Sequence, residues 1–538
     1  MSRIRIFSNV PLDPRYEHSI LWQSESRQLD YFSGDPTVET VKATVAGEFS
    51  DFTYLRKESA VKVPMALEDM ENAMVNYVAI LNDGADWRYY FVRNKEYVSP
   101  SVTRLDIELD VIQTYQFDWE IPACFVEREH TNTDTAGDHL IDEGLELGEY
   151  VASGGTLIQE LKDLAIVVQS SVTMQNPMGE PVSGKIISGV YSGLALYCRT
   201  CNALGATVLN AAISALSTAG KADGITSIFV YPKVLIDADW ANETNEVMLE
   251  VNGIKTGQYT VTKQTTLDGY TPRNKKLLTY PYNFLYVHNN AGEAATLKYE
   301  YFSTDNCVMS FGGSIAQDGV VRMTPDSYRG YAHDNESGLS LTGFPACAWT
   351  QDAYKIWLAQ NSNSQALAIQ GGQWAMGMGA VQTAAGVVDA VTLKGTGNLM
   401  GGVDTIHSGY MQIQSVMAAR ADKAVQPPQA KGTQSPSCNI SMGLQSYTIT
   451  KMTISAYYAQ IIDQYFDMYG YRVNAVKVPN LRGRPLWNYV KTIGCNVLGG
   501  IDASDRRLIG AIFDKGITLW HAPEVMYKYS MSSGNVAV

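Results

Sequence analysis

The chain has 538 residues, 18% of them charged and 45% hydrophobic, and its 32 Tyr, 14 Phe and 9 Trp exclude disordered, collagen-like and coiled-coil proteins. The length is sufficient for three or four domains. The formal net charge of −14 argues against nucleic-acid binding by phosphate neutralisation, because that mode of binding needs a surplus of Lys and Arg. It does not argue against a surface past which nucleic acid slides without sticking.

The N-terminal part has the pattern of short strands. Apolar and charged residues alternate from Arg104 to Val111, which predicts a strand with Asp106, Glu108 and Asp110 together on one face. That acidic face is interpreted as a cation site, as a negative surface, or as a plain solvated face of a sheet. Two further runs, residues 38–45 and 89–92, have similar strand character.

Seven cysteines are scattered along the chain, and neither their odd number nor their spacing indicates a disulfide framework. Cys198 and Cys201 form a CxxC pair, but no second pair follows at a spacing typical of zinc sites. We therefore expect both to be ordinary buried thiols. The N-terminus shows no signal-peptide pattern and no lipidation motif, which predicts that the protein is not secreted by the general route.

Residues 150–350 have a mixed pattern, punctuated by Gly and Asn, that is typical of small β-rich lobes rather than of alternating βαβ units. Apolar residues and alanines at helical spacing predict a helix from Leu204 to Leu216. Strands are predicted at residues 164–168, 227–236 and 297–301.

A long segment without charge comes next. The 33 residues from Ile356 to Val388 contain no ionisable side chain, and from there to Tyr410 only Asp389, Lys394, Asp404 and His407 interrupt. The segment is too rich in Gly, Gln and Asn for a permanent transmembrane helix, and a loop of this length is expected to be functional or disordered. It resembles helical pairs that pack closely in lipid, or fusion peptides; the alternative is a buried hairpin of helices.

The C-terminal part begins after Pro427-Pro428, and a strand over residues 447–454 and a helix over residues 456–468 are predicted there. One apolar face is expected on that helix: Tyr457, Ile461, Ile462, Tyr465 and Phe466. Five basic residues that follow are interpreted as an interface: Arg472, Lys477, Arg482, Arg484 and Lys491. A second helix is predicted from about Ser504 to Gly516, and Trp487 and Trp520 are expected to pack the C-terminal lobe against the rest.

The sequence contains no motif of a serine hydrolase, zinc protease, P-loop enzyme or dinucleotide-binding enzyme. The seven histidines show no metal-like pairing. His130, which follows Glu127-Arg128-Glu129, is interpreted as part of a polar cluster at a strand end rather than of an acid–base site. We therefore expect a protein that is not an enzyme, with no catalytic residue, no metal and no cofactor.

Eight short blocks occur in the order of a known family: residues 110–118, 125–130, 141–145, 278–282, 469–472, 479–482, 487–490 and 512–521. Their ordered set resembles the distal tail tube, or tail knob, proteins of picovirus-type (phi-29-like) short-tailed phages. The segment without charge lies where that family has a long hydrophobic loop. The first hundred residues resemble the family only in their strand-rich pattern.

The resemblance implies a mainly β fold with a few helices (α+β), built from tail-tube or tail-hub-like barrel lobes that form a ring and carry a long hydrophobic loop. Five segments are predicted. They are an N-terminal β-rich tube domain (1–135), an inserted mixed α/β lobe (136–280), a second β-rich lobe (281–354), a membrane-active loop (355–430) and a C-terminal part that completes the tube domain (431–538).

The family also implies a function. A homo-oligomer, normally a hexamer, forms the tube through which the genome leaves, and the loops plug the tube and then insert in the host membrane to open a DNA channel. The implied partners are a lower collar or proximal tail protein, a tail-tip lytic protein, the host cell membrane, and genomic DNA that passes without sequence-specific binding. The implied location is the virion tail tip, after assembly in the host cytoplasm.

Two sets of site residues follow. Asp106, Glu108 and Asp110 are the candidates for the lumen, because a negative wall avoids binding DNA phosphates. The membrane-insertion candidates are the apolar side chains of the loop: Trp357, Leu367, Ile369, Trp374, Met376, Met378, Val381, Val387, Val388, Val391, Leu393, Leu399 and Met400. The four ionisable residues of the segment are expected at a hairpin tip or facing a pore, because each would cost about 2.5–3.5 kcal/mol in hydrocarbon.

Two other classes of protein remain open. A receptor-binding or glycan-degrading tail protein would suit the Tyr and Trp content, but it needs two carboxylates across a sugar-sized groove, whereas the acidic strand places its carboxylates in a row. A pore-forming toxin would share the hidden apolar segment, but it needs an export signal.

Overall fold

The computed structural model of the chain describes residues 2–34, 42–52, 60–183, 185–187, 190–316, 319–344, 346–348 and 446–538. The chain divides into two compact units. Unit 1 comprises residues 1–146, 270–277 and 457–538, and unit 2 comprises residues 147–269 and 278–456. The chain therefore leaves unit 1, returns to it for one short stretch, and leaves again before the C-terminal part completes it.

Six α-helices lie in the described part of the chain: α1 (Glu25–Ser33), α2 (Leu67–Asn72), α3 (Val111–Tyr115), α4 (Ala203–Thr218), α5 (Ala456–Tyr469) and α6 (Ala503–Lys515). Short 3-10 turns occur at Gln159–Leu161, Ala222–Gly224, Lys233–Leu235, Trp240–Thr244, Lys275–Leu278, Tyr299–Tyr301, Pro523–Val525 and Tyr529–Gly534. The helix predicted at residues 204–216 is confirmed as α4. Its N-terminus is capped by the Asn202 side chain, which accepts a hydrogen bond from the backbone N–H of Gly205 (2.7 Å).

Strands form most of the regular structure. In the N-terminal part they are β1 (Ser2–Ser8), β2 (His18–Ile20), β3 (Thr44–Phe52), β4 (Val61–Val63), β5 (Val75–Leu81), β6 (Trp87–Ser99), β7 (Val102–Leu109), β8 (Trp119–Glu120) and β9 (Cys124–Glu129). The next eight are β10 (Tyr150–Leu157), β11 (Leu164–Ser170), β12 (Lys185–Ile187), β13 (Val190–Ser192), β14 (Ala195–Thr200), β15 (Ile225–Pro232), β16 (Ile236–Ala238) and β17 (Leu249–Ile254).

The remaining strands complete unit 2 and then unit 1. They are β18 (Gly257–Thr262), β19 (Asn283–His288), β20 (Ala294–Lys298), β21 (Asn306–Gly313), β22 (Val321–Tyr328), β23 (Tyr331–His333), β24 (Leu339–Leu341), β25 (Ala346–Ala348), β26 (Thr448–Ile454), β27 (Tyr471–Lys477), β28 (Trp487–Ile493), β29 (Leu498–Gly499) and β30 (Ile517–Trp520). The predicted strands at residues 89–92 and 164–168 are confirmed as parts of β6 and β11, and the one at 447–454 is confirmed as β26, which begins one residue later.

Unit 1 contains two large sheets. One has the strand order β3-β1-β5-β6-β7-β4, and the other has the order β2-β30-β28-β9-β27. In the second sheet, β9 from the N-terminal part pairs with both β27 and β28, and β2 pairs in parallel with β30. Because this sheet combines two strands from the N-terminal part with three from the C-terminal part, neither end of the chain can form it alone.

The core of unit 1 is likewise shared between the two ends of the chain, since buried side chains of β1, β5, β6 and β7 belong to the same cluster as those of β28, α6 and β30. Trp487 and Trp520 lie opposite each other in β28 and β30. Both are 0% exposed, and their ring centroids are 4.7 Å apart. This pair attaches the C-terminal strands to the common core.

Unit 2 contains three larger sheets, with the orders β10-β26-β19-β20, β16-β17-β14-β11-β15-β25 and β18-β21-β22-β23, where β24 also pairs with β22. Helix α4 packs on the six-stranded sheet through Val208, Leu209 and Ile213. Cys198 and Cys201 are buried free thiols, as predicted, and burial raises their pKa values to about 12 and about 11.

Three predicted strands differ from those in the structure. The run from Arg104 ends as a strand at Leu109, because Val111 begins α3. The run at 227–236 is divided into β15 and β16 by a 3-10 turn, and the run at 297–301 ends at Lys298 before another such turn. Each of these turns still places one apolar side chain in the core, Leu235 in the first and Tyr299 in the second. Of the run at 38–45, residues 38–41 lie outside the described residues, and β3 begins at Thr44.

The apolar face predicted for the helix at 456–468 is partly wrong. Ile462 and Phe466 are buried as expected, but Tyr457 and Ile461 are exposed. The buried face of the helix also includes a charged residue, Asp463. A carboxylate replaces an apolar residue there because hydrogen-bond donors of unit 1 surround it, as described below.

The two units group the five predicted segments differently. Most of the lobes predicted at 136–280 and 281–354 belongs to one unit, unit 2. The predicted C-terminal part (431–538) is divided, because β26 pairs with β10 and β19 of unit 2 whereas residues 457–538 belong to unit 1. The predicted loop (355–430) lies outside the described residues.

The buried tryptophan pair generates a prediction about stability. Changing Trp487 or Trp520 to Ala removes a large side chain from a closed core and should lower the free energy of unfolding by about 3–5 kcal/mol. Urea unfolding followed by circular dichroism measures this loss. Tyr457→Ala is the matched control, because Tyr457 is 67% exposed. Tryptophan variants as stable as that control would contradict the assignment.

Candidate functional site

The lumen candidates do not form the row of three that the alternation predicted. Asp106 and Glu108 lie on the outer face of β7, opposite the buried Leu105 and Leu109. Asp110 lies beyond the end of the strand and is 1% exposed. The prediction that all three carboxylates share one exposed face is therefore wrong for Asp110.

Asp110 is instead the cap of α3. Its carboxylate accepts hydrogen bonds from the backbone N–H of Gln113 (3.0 Å) and from the hydroxyl of Tyr77 (2.8 Å). Burial raises the pKa of Asp110 to about 7, although these hydrogen bonds oppose the shift. Asp110 is therefore a structural carboxylate of the core of unit 1.

The exposed face that carries Asp106 and Glu108 has mixed charge. Glu108 forms an ion pair with Arg93 of the neighbouring strand β6, and Asp106 lies 3.2 Å from Arg104. Arg104 also contacts Glu96 (3.0 Å). Each carboxylate of this hairpin therefore has an arginine beside it, so the local field is weaker than a row of bare carboxylates would produce.

All thirteen membrane-insertion candidates, from Trp357 to Met400, lie outside the described residues. The nearest described strands on either side of the segment are β25, which precedes it, and β26, which follows it, and both belong to unit 2. Within the part of the chain that the structure describes, no helix is both long enough and apolar enough to cross a bilayer.

His130, at the end of the charged run 127–130, makes buried contacts within unit 1. His130 is 3% exposed; its Nδ1 accepts a hydrogen bond from the backbone N–H of Tyr489 (2.8 Å), and its Nε2 lies 3.1 Å from the carbonyl oxygen of Asp467. Burial lowers the pKa of His130 to about 3, so the imidazole is neutral at physiological pH. This is the polar cluster at a strand end that the sequence predicted.

Glu143 is the centre of a buried ion-pair network. Its carboxylate contacts the guanidinium of Arg128 and the ammonium of Lys276, and it accepts a hydrogen bond from the backbone N–H of Arg472 (3.0 Å). Glu143 and Lys276 are both at least 96% buried. Burial lowers the pKa of Lys276, and the carboxylate of Glu143 opposes that shift. One buried acid thus joins three distant segments of the chain.

Asp463 has the same role on helix α5. Its carboxylate accepts hydrogen bonds from the hydroxyl of Tyr270 (2.7 Å), the backbone N–H of Arg273 (2.9 Å) and the backbone N–H of Asn274 (3.0 Å). Asp467, one turn later, forms an ion pair with the side chain of Arg273. These contacts hold the short return stretch, residues 270–277, against α5. Sequence reasoning missed them, because a single Asp in an apolar helix has no recognisable partner in its neighbourhood.

The five basic residues that were interpreted as an interface make contacts within unit 1. Lys477 and Lys491 form ion pairs with Glu129 (2.5 Å) and Glu127 (2.8 Å). The other three donate to backbone carbonyls: Arg472 to Asp142, Arg482 to Trp22 and Arg484 to Asn535. Arg472 and Lys477 also line a cleft of about 350 Å³. Both side chains already bind protein groups, the carbonyl of Asp142 and the carboxylate of Glu129.

Comparisons with known proteins agree with this architecture. The family model described as Bacillus phage phi29, Tail knob protein gp9, C-terminal domain, matches residues 242–533, and the model of the Caudoviral major tail protein N-terminus matches residues 1–120. The chain is 28% identical to the tail knob protein gp9 of Bacillus phage B103 and 26% identical to that of Bacillus phage phi29, in both cases over 97% of each chain. The resemblance predicted from the eight blocks is confirmed.

A solved structure supports the fold. The bacteriophage C1 tail knob protein, gp12, superposes with a TM-score of 0.65 over the full length of both chains, at 14% sequence identity. The predicted fold class, mainly β with a few helices, is confirmed. The sequence pattern showed only that the N-terminal part is rich in strands. The match of the first 120 residues to the N-terminus of a major tail protein is additional information about that part.

The network around Glu143 can be tested directly. Glu143→Gln leaves Arg128 and Lys276 buried without their counter-charge, so the free energy of unfolding should fall by about 3–5 kcal/mol. Chemical denaturation of the purified protein measures the loss. Glu146→Gln, an exposed neighbour, is the control and should change stability by less than about 0.5 kcal/mol. Equal stability of the two variants would show that the network contributes little.

Proposed function

The chain belongs to the phi29-type tail knob protein family, so it is a structural component of a short phage tail, and on that premise we propose that copies of it, normally six, form the distal tube through which the genome leaves. The observation that carries the proposal is the match to curated tail knob proteins from end to end of both chains. A mainly β unit 1, whose sheet is built from both ends of the chain, suits a rigid ring subunit. The role is structural rather than catalytic.

We place the outer face of the β6–β7 hairpin toward the lumen. DNA moves through a tube easily only if the wall does not bind its phosphates, and a wall with few free cations avoids such binding. On this face Arg93 and Arg104 are both neutralised by carboxylates, of which Glu108 and Asp106 are two. The overall charge of −14 per chain likewise disfavours the binding of DNA phosphates.

The segment from Ile356 to Tyr410 is proposed to plug the tube before ejection and then to insert in the host membrane. Its 33 residues without charge offer apolar area and small side chains that allow close packing of neighbouring copies. In hydrocarbon its backbone must be hydrogen-bonded internally, so the inserted form is helical or strand-paired. Two arms of about 20 helical residues would each reach about 30 Å, the thickness of the apolar layer of a bilayer.

The partners follow from the position at the tail tip. One end of the ring would dock on the proximal tail, or lower collar, protein, and the other would carry a tail-tip lytic protein. Assembly would occur in the host cytoplasm, and genomic DNA would pass through the lumen without sequence-specific binding. Electron microscopy of the purified protein tests the central point, because hollow rings are expected and a purely monomeric protein would contradict the proposal.

Charge reversal on the hairpin tests the lumen assignment. Asp106→Lys with Glu108→Lys would place two new cations beside Arg93 and Arg104, so DNA phosphates should bind the wall and ejection in vitro should slow at low salt and recover as salt is raised. Glu68→Lys with Asp69→Lys, both exposed on α2, is the control with equal charge. If both double variants eject DNA at the same rate at every salt concentration, the hairpin does not face the lumen.

A deletion tests the membrane role. Removing residues 365–410 should leave the ring intact, because the strands that flank the segment belong to unit 2, whereas the core shared by the two ends of the chain belongs to unit 1. The released protein should then no longer make liposomes leak, and phage that carry the deletion should adsorb without delivering their genome. Dye release by the deleted protein equal to that by the full chain would assign the membrane role elsewhere.

A further inference from the structure

Three side chains of the kind that bind metal ions meet where the chain enters β2. Asp13, Glu17 and His18 each offer one ligand atom, and the three atoms lie within 4.8 Å of one another. Ligands of one ion stand about 3–4 Å apart when each bond is about 2.0–2.2 Å long. Small side-chain rotations are therefore sufficient to bring all three onto one ion.

The backbone of this stretch is fixed on both sides. The side chain of Asp13 accepts a hydrogen bond from the backbone N–H of Arg15 (2.6 Å), and the carbonyl of Asp13 accepts one from Tyr16 (3.2 Å). At the other end, the backbone N–H of Thr518 donates to the carbonyl of Glu17 (3.1 Å), and His18 pairs with Thr518 in the parallel ladder of β2 and β30. The three ligands thus start from an ordered backbone.

The imidazole of His18 is oriented by aromatic neighbours. Its ring centroid lies 4.5 Å from that of Tyr527 and 6.3 Å from that of Trp520. Its Nε2 lies 2.9 Å from the hydroxyl of Tyr529, so Nδ1 is the nitrogen left for a ligand. A ligating histidine is normally held in this way, by a hydrogen bond on its other ring nitrogen.

The charge of the cluster is not balanced within the part of the chain that the structure describes. Neither Asp13 nor Glu17 has an ion-pair partner there, although each lies close to the other and to His18.

We propose that Asp13, Glu17 and His18 bind one divalent first-row transition-metal ion, of which Zn²⁺ is the representative, with water in the remaining positions. One imidazole nitrogen with two carboxylate oxygens favours such an ion over Mg²⁺ and Ca²⁺, which prefer oxygen ligands alone. The ion would lock the N-terminal stretch to the C-terminal segment, because His18 contacts Tyr527 and Tyr529. The sequence showed no metal motif, since only the fold of this stretch brings the three ligands together.

Isothermal titration of the full-length protein, freed of metal by a chelator, tests the proposal. Zn²⁺ should bind at one site per chain and raise the unfolding temperature, whereas Mg²⁺ should do neither. The variant Glu17→Gln, and the double variant with Asp13→Asn, should weaken Zn²⁺ binding at least tenfold while keeping the circular dichroism spectrum and the metal-free unfolding temperature of the parent. Glu68→Gln serves as the control for a lost surface charge.

Two results would overturn the site. One is Zn²⁺ binding of unchanged affinity and stoichiometry in the double variant, which would place the ion on other side chains, such as the exposed His333. The other is the absence of saturable Zn²⁺ binding by the parent protein.

Discussion

Two buried carboxylates, Glu143 and Asp463, are the constraint on which unit 1 depends. An acid without water is tolerated only where donors and cations surround it, and here the donors come from three separate parts of the chain. Glu143 needs Arg128, Lys276 and the backbone of Arg472, and Asp463 needs the backbone of the 270–277 stretch. The segments cannot separate without leaving a charge buried and unpaired. Unit 1 is therefore complete only with the 270–277 stretch and the C-terminal part in place.

This constraint suits the proposed tail protein. The segment without charge begins after β25 and ends before β26, and both strands belong to unit 2, whereas the two acids and the shared apolar core belong to unit 1. A segment that changes its surroundings from the inside of a tube to a bilayer would do so without breaking the contacts of Glu143 and Asp463.

In the β6–β7 hairpin, the effect of each carboxylate depends on the cations beside it in the fold. Three acidic residues in alternation suggested a strongly negative wall, but Asp110 caps a helix and the other two face arginines. What the proposed lumen face offers to DNA is the absence of free cations rather than a strong negative field. Weak interaction in both directions, neither binding nor strong repulsion, is what passage of a long polyanion requires.

Local pattern was sufficient for part of this protein. Helical spacing located α4, short strand-like runs located β11 and β26, and the ordered blocks identified the family, because each of these signals lies within a few neighbouring residues or in their order. The burial of Asp110 and Asp463, the exposure of Tyr457 and Ile461, and the meeting of Asp13, Glu17 and His18 were decided only in the tertiary structure. Asp463 finds its donors almost 200 residues away, and periodicity along a helix treats a carboxylate at a core position as a break in the pattern. Whether a polar group is buried depends on partners that the fold brings to it, and those partners have no fixed spacing along the chain.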